Sequence, residues 1–438
     1  MKNKLIILSA DAFVTEDLDL LSTLPGYKKY MKNASMVRNV RSIYPTVTFP
    51  CHVTMMTGTY PNKHGVTSNF PFVMNETPMP WNWYADIIRS KDIFTACKEK
   101  GLTTATVFWP VTCNHKDIDY MIPEFNKPMP VEMIEEAFAK VGCDEDMLAI
   151  IKKNRVFLEE FRHPYTDEFI IHCACDILRQ KQPDVLLIHP GNIDAARHAH
   201  GVFNEKVDQE IRSTDRFIQM LMDVQAELGL AENTNFVLTS DHGQMDIQRI
   251  MNLNVMLEEY GFIDVDSEGM ITDWRAYCHS NGLSALIYLK NPHDETVKNR
   301  VFQLLRWMKK EGVYGISEVF TTEDMNEKYA LDGDFSFVVE SDGYTSFGAG
   351  VKVPLVQTFG DMDYRYGRAS HGYLPEKGPQ PVFVVKGPGF AENIIIEQAE
   401  LVDEAPTYAR ILGVELPDAD GSPIIDLLKK ENLGEAES

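Results

Sequence analysis

A chain of 438 residues, 44% hydrophobic and 24% charged, is long enough for one elaborated domain or two, and too apolar for a disordered or collagen-like chain. Its 65 acidic against 42 basic residues leave a formal charge of -23, which repels a polyanion over most of the surface and excludes extended nucleic acid as a partner. A small phosphate compound stays open, because a buried cation inverts the local potential.

In chain order, "LIILS" (5 to 9) reads as a first buried strand that runs straight into Asp11 rather than as an export signal. "TFPCHVTMMTG" reads as a helix starting near Pro50 and ending by Gly58, with Thr48 at its mouth. "TATVF" (104 to 108), "DVLLIH" (184 to 189), "FVLTS" (236 to 240) and "VFVVK" (382 to 386) read as further buried parallel strands. Between the second and third of the strands, residues 130 to 182 read as a helical insertion beside the sheet. A long helix follows the N-cap Asn204, with Val207, Ile211, Ile218, Leu221 and Leu228 on one stripe up to Gly229.

Residues 253 to 352 carry their own pattern, "SALIYL", "DETVKNRVFQLLRWMKK", "ISEVF" and "FSFVVE", which reads as a small α+β cap. The main sheet is expected to resume near "VPLVQTF", so the α/β catalytic domain is expected to take 1–252 and 353–438, and 431–438 to form a loose tail. No stretch reaches the roughly 18 apolar residues that span a membrane, and no membrane partner is expected. Seven cysteines without a CxxC pair fit reduced thiols, from which a cytoplasmic location is expected.

In an open parallel sheet, ligands bind beyond the carboxyl ends of the strands. Those positions hold Asp11, then Asp194 and His198, then Asp241 and His242, with His371 in "ASHGY" before the last strand. Singly, each has a plainer reading as a turn or cap residue. Their recurrence at strand ends points instead to two divalent metal ions with oxygen and nitrogen ligands, zinc first, manganese or iron next. Two such ions suit displacement at phosphorus, and they would make a threonine hydroxyl a competent nucleophile. Among the threonines between 46 and 57, Thr48 is the choice: Thr46 lies too early, and Thr54 and Thr57 fall inside the helix. The amide groups at the helix mouth are expected to meet a phosphate.

"PTVTFPCHVTMMTGTYPNKHGVTSN", the Asp11 strand end, "DAARHAHG", "TSDHGQM" and "SHGY" together resemble the nucleotide pyrophosphatase/phosphodiesterase branch of the alkaline phosphatase superfamily. The match follows the family's order through most of the larger domain and is weaker over the two inserts. The resemblance implies an alkaline-phosphatase-like fold, with a central, mostly parallel sheet flanked by helices. It implies Thr48 as nucleophile and ligand of one zinc with Asp11, Asp241 and His242, and Asp194, His198 and His371 around the other. It also implies that Asn69 steadies a phosphoryl oxygen together with the N–H of Phe49, and that Phe49 packs on a nucleobase, with Tyr120 as an opposing aromatic.

The activity so implied is cleavage of phosphodiester or pyrophosphate bonds in nucleotide-like small molecules through a phosphothreonine. The alternatives are a phosphonoacetate hydrolase or metal-dependent phosphomutase of the same superfamily and, in another class, a metal-stabilised binding protein without activity. Cys51 stands where the family often has Asn and lacks the CxPxR context of a sulfatase, so a core thiol is expected. His200 competes with His198 and is expected on the surface, and Arg368 is a candidate for an anion contact.

Overall fold

The computed structural model describes residues 4–76, 79–125, 127, 129–158, 160–360 and 363–430, so the expected tail lies outside the described residues. Its centre is an eight-stranded sheet: β1 (Lys4–Ser9), β2 (Ser35–Arg41), β3 (Thr104–Val107), β4 (Tyr120–Ile122), β5 (Val185–Ile188), β6 (Thr234–Thr239), β7 (Phe383–Lys386) and β8 (Ile395–Glu400). In space the order is β8-β2-β7-β6-β1-β5-β3-β4. The continuous apolar runs of β1, β5 and β6 are buried along their length, as central strands covered on both faces require. Leu5 pairs with Val185 on one side and Asn235 on the other, all parallel.

One expected parallel strand is not parallel. β7 pairs antiparallel with both β6 (Phe383 with Thr239) and β2 (Phe383 with Val37). A parallel entry needs a crossover that carries the chain back to the amino edge. Here the chain arrives from the carboxyl edge and runs back through the sheet, which leaves the residues before β7 on that edge.

Four helices matter for the site: α1 (Thr48–Thr57), α2 (Asp167–Lys181), α3 (Asn192–His200) and α4 (Glu205–Glu227). Asn204 caps α4, its side chain accepting from the N–H groups of Lys206 and Val207, and Val207, Ile211, Ile218 and Leu221 form its buried stripe. Within the helical stretch 130 to 182, α2 packs on β3, β5 and α4, so it covers the sheet as a crossover helix; the helices Ile134–Lys140 and Glu145–Asn154 pack on each other, and the latter on α2.

The cap holds a four-stranded antiparallel sheet in the order Ala276–Ser280, Ser284–Leu289, Phe335–Ser341, Ile316–Thr321, against which helix Glu295–Glu311 packs. It has its own core around Ile287, Leu305 and Phe337. "VPLVQTF" does not rejoin the main sheet. Only Val356–Gln357 pairs there, with Arg249–Asn252, in a three-stranded sheet completed by Thr345–Gly348. Pro354, just before it, brings no N–H to a ladder. No helix among the described residues is long and apolar enough to cross a membrane.

Behind the end of β6, the fully buried Glu404 accepts hydrogen bonds from Thr239 Oγ1 (2.7 Å) and Tyr408 Oη (2.8 Å). Burial pushes its carboxyl from 4.5 up to about 8. A folded value above the unfolded one means a contribution to stability that is complete below pH 4.5 and lost as pH rises through about 8. Thermal melts of Glu404→Gln should therefore gain on the native chain between pH 5 and 8 and level off above that; a constant difference across this range would contradict this assignment.

Candidate active site

The carboxyl ends of β1, β5 and β6 and the amino end of the reversed β7 share one edge, and the topology brings the polar residues together there. Asp11 follows β1, Asp241 and His242 follow β6, and His371 precedes β7. α3, entered from β5, carries Asp194 and His198 one turn apart on one face, with Asp194 Oδ1 3.1 Å from His198 Nε2. Thr48 is the first residue of α1, after the extended Val47, and the helix stops at Gly58, whose φ of 70° is the left-handed value glycine accepts at a C-terminus.

The ligand atoms of Asp194, His198 and His371 lie within 4.8 Å of one another, and so do those of Asp11, Asp194 and His242. Asp194 thus stands between the two groups. Asp241 Oδ2 and Thr48 Oγ1 each lie 3.2 Å from His242 Nε2, and Asp11 Oδ1 lies 3.7 Å from it. All three imidazoles are held the same way. Nδ1 of His198 donates to Ala369 O (2.7 Å), that of His371 to Thr46 O (3.1 Å) and that of His242 to Gly243 O (3.2 Å). With the proton on Nδ1, each Nε2 lone pair faces the cluster, the orientation a metal ligand needs.

Such an arrangement is costly without a cation. Asp11 Oδ1, Asp241 Oδ2 and His198 Nε2 are buried without a hydrogen-bond partner. Burial, with the carboxylates of Asp194 and Asp241 beside it, drives the Asp11 carboxyl well above its ordinary value. For Asp194, burial pushes upward, but His198, His371 and His242 outweigh it and hold the carboxyl below the usual range. Burial, reinforced by His242, keeps His371 far below a normal histidine and so neutral. Oxygen and neutral imidazole donors crowded around orphaned lone pairs fit divalent cations.

Around this centre, Asn69 Oδ1 accepts from the N–H of Phe49 (2.8 Å), which turns its Nδ2 outward. That bond narrows the expected backbone cradle: Phe49 N–H is taken, Pro50 has none, and Cys51 N–H is bonded to Val47 O, which leaves the N–H of Thr48 at the helix mouth. Asn69 Nδ2 stands beside it as a side-chain donor. The ring of Phe49 is also corrected as a stacking face, since it is fully buried, 5.2 Å from Trp81. Tyr120 is corrected too. It begins β4, with Lys181 Nζ 5.4 Å from its ring centroid, and Lys181 ends α2 just before β5, so Tyr120 lies toward the opposite edge of the sheet.

The aromatic rim at the site consists of Trp81, Phe70 and Tyr364, the last stacked on His371 at 4.6 Å. His200 is exposed, and Cys51 is a buried thiol against Ser42. Arg368 is exposed, with its guanidinium over Phe359. Thr46 Oγ1 is used structurally, donating to Tyr373 O (2.9 Å).

Sequence reasoning passed over Gln244, which donates to Asp194 Oδ1 (2.5 Å), and the buried pair His52 and His189. His52 Nδ1 donates to Thr48 O (2.8 Å), while His189 Nε2 lies 3.4 Å from Asp11 Oδ2. The signal for His52 was its place four residues after Thr48 on the same helix face.

The pattern of the family described as "Type I phosphodiesterase / nucleotide pyrophosphatase" matches residues 5–350. Ectonucleotide pyrophosphatase/phosphodiesterase family member 1 of Mus musculus is 27% identical over 273 residues, which are 59% of this chain and 26% of that protein. Ectonucleotide pyrophosphatase/phosphodiesterase C27A7.3 of Caenorhabditis elegans is 22% identical over 94% of this chain and 47% of its own length. The chain thus spans between about a quarter and a half of these relatives. The structure of murine ectonucleotide pyrophosphatase / phosphodiesterase 5 superposes with a TM-score of 0.68 at 18% identity, covering 97% of this chain and 100% of that one, and so shares its fold. An inactive form of that murine protein has been solved in complex with AMP.

Because cations would neutralise the crowded carboxylates only in the folded state, metal-free protein should melt several degrees higher once excess zinc or manganese is added. Asp194→Asn, which removes the charge shared by both groups, should lose most of that gain. Equal melting temperatures with and without metal would contradict the fit.

Proposed function

Because the chain belongs to the type I phosphodiesterase / nucleotide pyrophosphatase family, we propose that it hydrolyses phosphodiester or pyrophosphate bonds of nucleotide-like small molecules through a covalent ester on Thr48, with two divalent ions, zinc first, bound at the cluster. The observation that carries this reading is Thr48 Oγ1, held at the head of α1 only 3.2 Å from His242 Nε2 and amid Asp11, Asp241 and Asn69. One ion would be held by Asp11, Asp241, His242 and Thr48, the other by Asp194, His198 and His371. Bound there, the ions would supply Lewis acidity, lowering the cost of an ionised threonine oxygen and of charge on the transferring phosphoryl group.

The chain's own residues do the rest. His52, donating to Thr48 O, and the helix itself fix the direction of Oγ1. Thr48 Oγ1 forms a bond to phosphorus as the bond from phosphorus to the leaving oxygen breaks and the hydroxyl proton passes to the leaving group or solvent, giving a phosphothreonine that still carries the nucleoside; water then cleaves the new ester and releases the nucleoside 5'-phosphate, so the net change is addition of one water across the substrate bond. Asn69 Nδ2, free because its oxygen is tied to Phe49, donates to a non-bridging oxygen in both steps. The AMP bound by the murine relative supports a nucleoside 5'-phosphate as one half of the substrate.

The surroundings of Thr48 favour a diester over a monoester. Val47, Phe49, Pro50 and Cys51 are neutral and buried, and Arg365, the nearby guanidinium over Phe70, is committed to Asp363 through a pair of 2.9 Å and 3.1 Å contacts. A phosphonoacetate hydrolase or phosphomutase would have to bind a more highly charged group here.

Thr48→Ala should keep its metals through the remaining ligands yet lose turnover of a p-nitrophenyl nucleoside monophosphate diester by about a thousandfold or more. Acid quenching during turnover followed by peptide mass spectrometry should place a nucleoside 5'-phosphoryl group on Thr48; the same adduct on Thr46, or an active alanine variant, would overturn the assignment. The native kcat/KM should be higher for that diester than for p-nitrophenyl phosphate, and Trp81→Ala should lower the diester value more than the monoester value. A preference for the monoester would move the protein towards the phosphatases and mutases.

A further inference from the structure

The cap insertion touches the site through buried polar groups on the side facing the main domain. Between the strands Ala276–Ser280 and Ser284–Leu289, the turn at 281–283 reaches two chain segments at once. Asn281 Oδ1 accepts from Ser68 Oγ (2.6 Å), Asn281 Nδ2 donates to Thr67 O (3.2 Å), and His279 Nε2 lies 3.1 Å from Ser68 Oγ. Ser68 Oγ in turn accepts from Phe70 N (3.2 Å). Asn69 is therefore clamped by its neighbours on both sides.

The other face of the same turn meets His371. Leu283 N donates to His371 O (2.8 Å), and a Cβ on Gly282, whose φ is 86°, would come within 2.6 Å of that oxygen. A third contact comes from the next cap strand, where Glu340 Oε2 accepts from Tyr44 Oη (3.0 Å) and Oε1 accepts from Leu374 N (3.1 Å) and Lys377 Nζ (2.9 Å). Tyr44 leads into Thr48 and Leu374 follows His371. Those two segments are also tied to each other, since Thr46 O accepts from Gly372 N (2.9 Å) and from His371 Nδ1 (3.1 Å).

We infer that the cap is a fixed frame of the catalytic centre, in which Asn281 and Glu340 are positioning residues that hold the segments bearing Thr48, Asn69 and His371 in register. This rests on the proposed hydrolase reading for its kinetic consequence and not for its structural one. Ser68, Asn281, His279 and Glu340 are all buried. Water does not replace a lost partner readily in such a place, and removing one member strands the others. The effect passes along short, hydrogen-bonded segments to residues that touch the substrate phosphate.

The test uses zinc-loaded full chain and the variants Asn281→Ala and Ser68→Ala, the second serving if the first does not fold. Hydrogen–deuterium exchange should rise about tenfold in peptides covering 65–70 and 369–374, with β1 unchanged. With the p-nitrophenyl nucleoside diester, kcat should fall about tenfold while KM stays within about twofold, a split that a loss of folded protein alone would not give. Unchanged exchange in both peptides, or unchanged kcat in an active protein, would overturn the frame. A native protein that turns over no diester would retire the hydrolase reading instead, and the exchange comparison would still decide the frame.

Discussion

Three carboxylates, Asp11, Asp194 and Asp241, share one edge of the sheet, and this crowding is the constraint on which the site depends. Asp11 and Asp241 are buried and Asp194 is half-buried. Two like charges about 4 Å apart cost about 4 kcal/mol at an effective dielectric of about 20. A fold keeps such a set only if protons or positive charge offset it, and burial with the neighbouring carboxylates already drives the Asp11 carboxyl upward. Burial keeps His371 neutral, and a proton on His198, opposed by burial but drawn up by Asp194, offsets one of the three charges at most. Divalent cations would balance the whole set while leaving every carboxylate ionised, and the same cations would make Thr48 reactive.

Topology and electrostatics are therefore coupled. Parallel strands β1, β5 and β6 deliver their carboxyl ends to one edge, and the reversal of β7 adds His371 there. The hydrogen bonds from Gln244 to Asp194, from His52 to Thr48 and from the Phe49 amide to Asn69 then fix individual atoms. Through Asn281 and Glu340 the cap ties together chain segments that lie far apart in sequence. An anionic chain of charge -23 would hold the proposed anionic substrate here only with the charge inverted locally by bound cations.

Much of this was legible in the residues. Apolar runs such as "LIILS" and "FVLTS", each ending in a polar ligand type, announced both the strands and the edge on which Asp11 and Asp241 meet, and the spacing of Asp194 and His198 announced a shared helix face. Direction and burial were less legible. "VFVVK" has the same composition whichever way it runs, and its reversal depends on where the cap releases the chain. "VPLVQTF" is apolar enough for the main sheet, yet only two of its residues pair, elsewhere. Phe49 and Tyr120 look alike as aromatic candidates, but one is sealed beneath Trp81 and the other lies toward the wrong edge. The contacts of Asn281 to Thr67 and Ser68 and of Glu340 to Tyr44 span hundreds of residues and have no local signature.

The central claim, that two cations balance these carboxylates around Thr48, is tested most directly by anomalous diffraction at the zinc edge from zinc-loaded crystals. The account predicts two peaks, one among Asp11, Asp241, His242 and Thr48 and one among Asp194, His198 and His371. A single peak, or zinc bound anywhere else while this edge holds none, would contradict it.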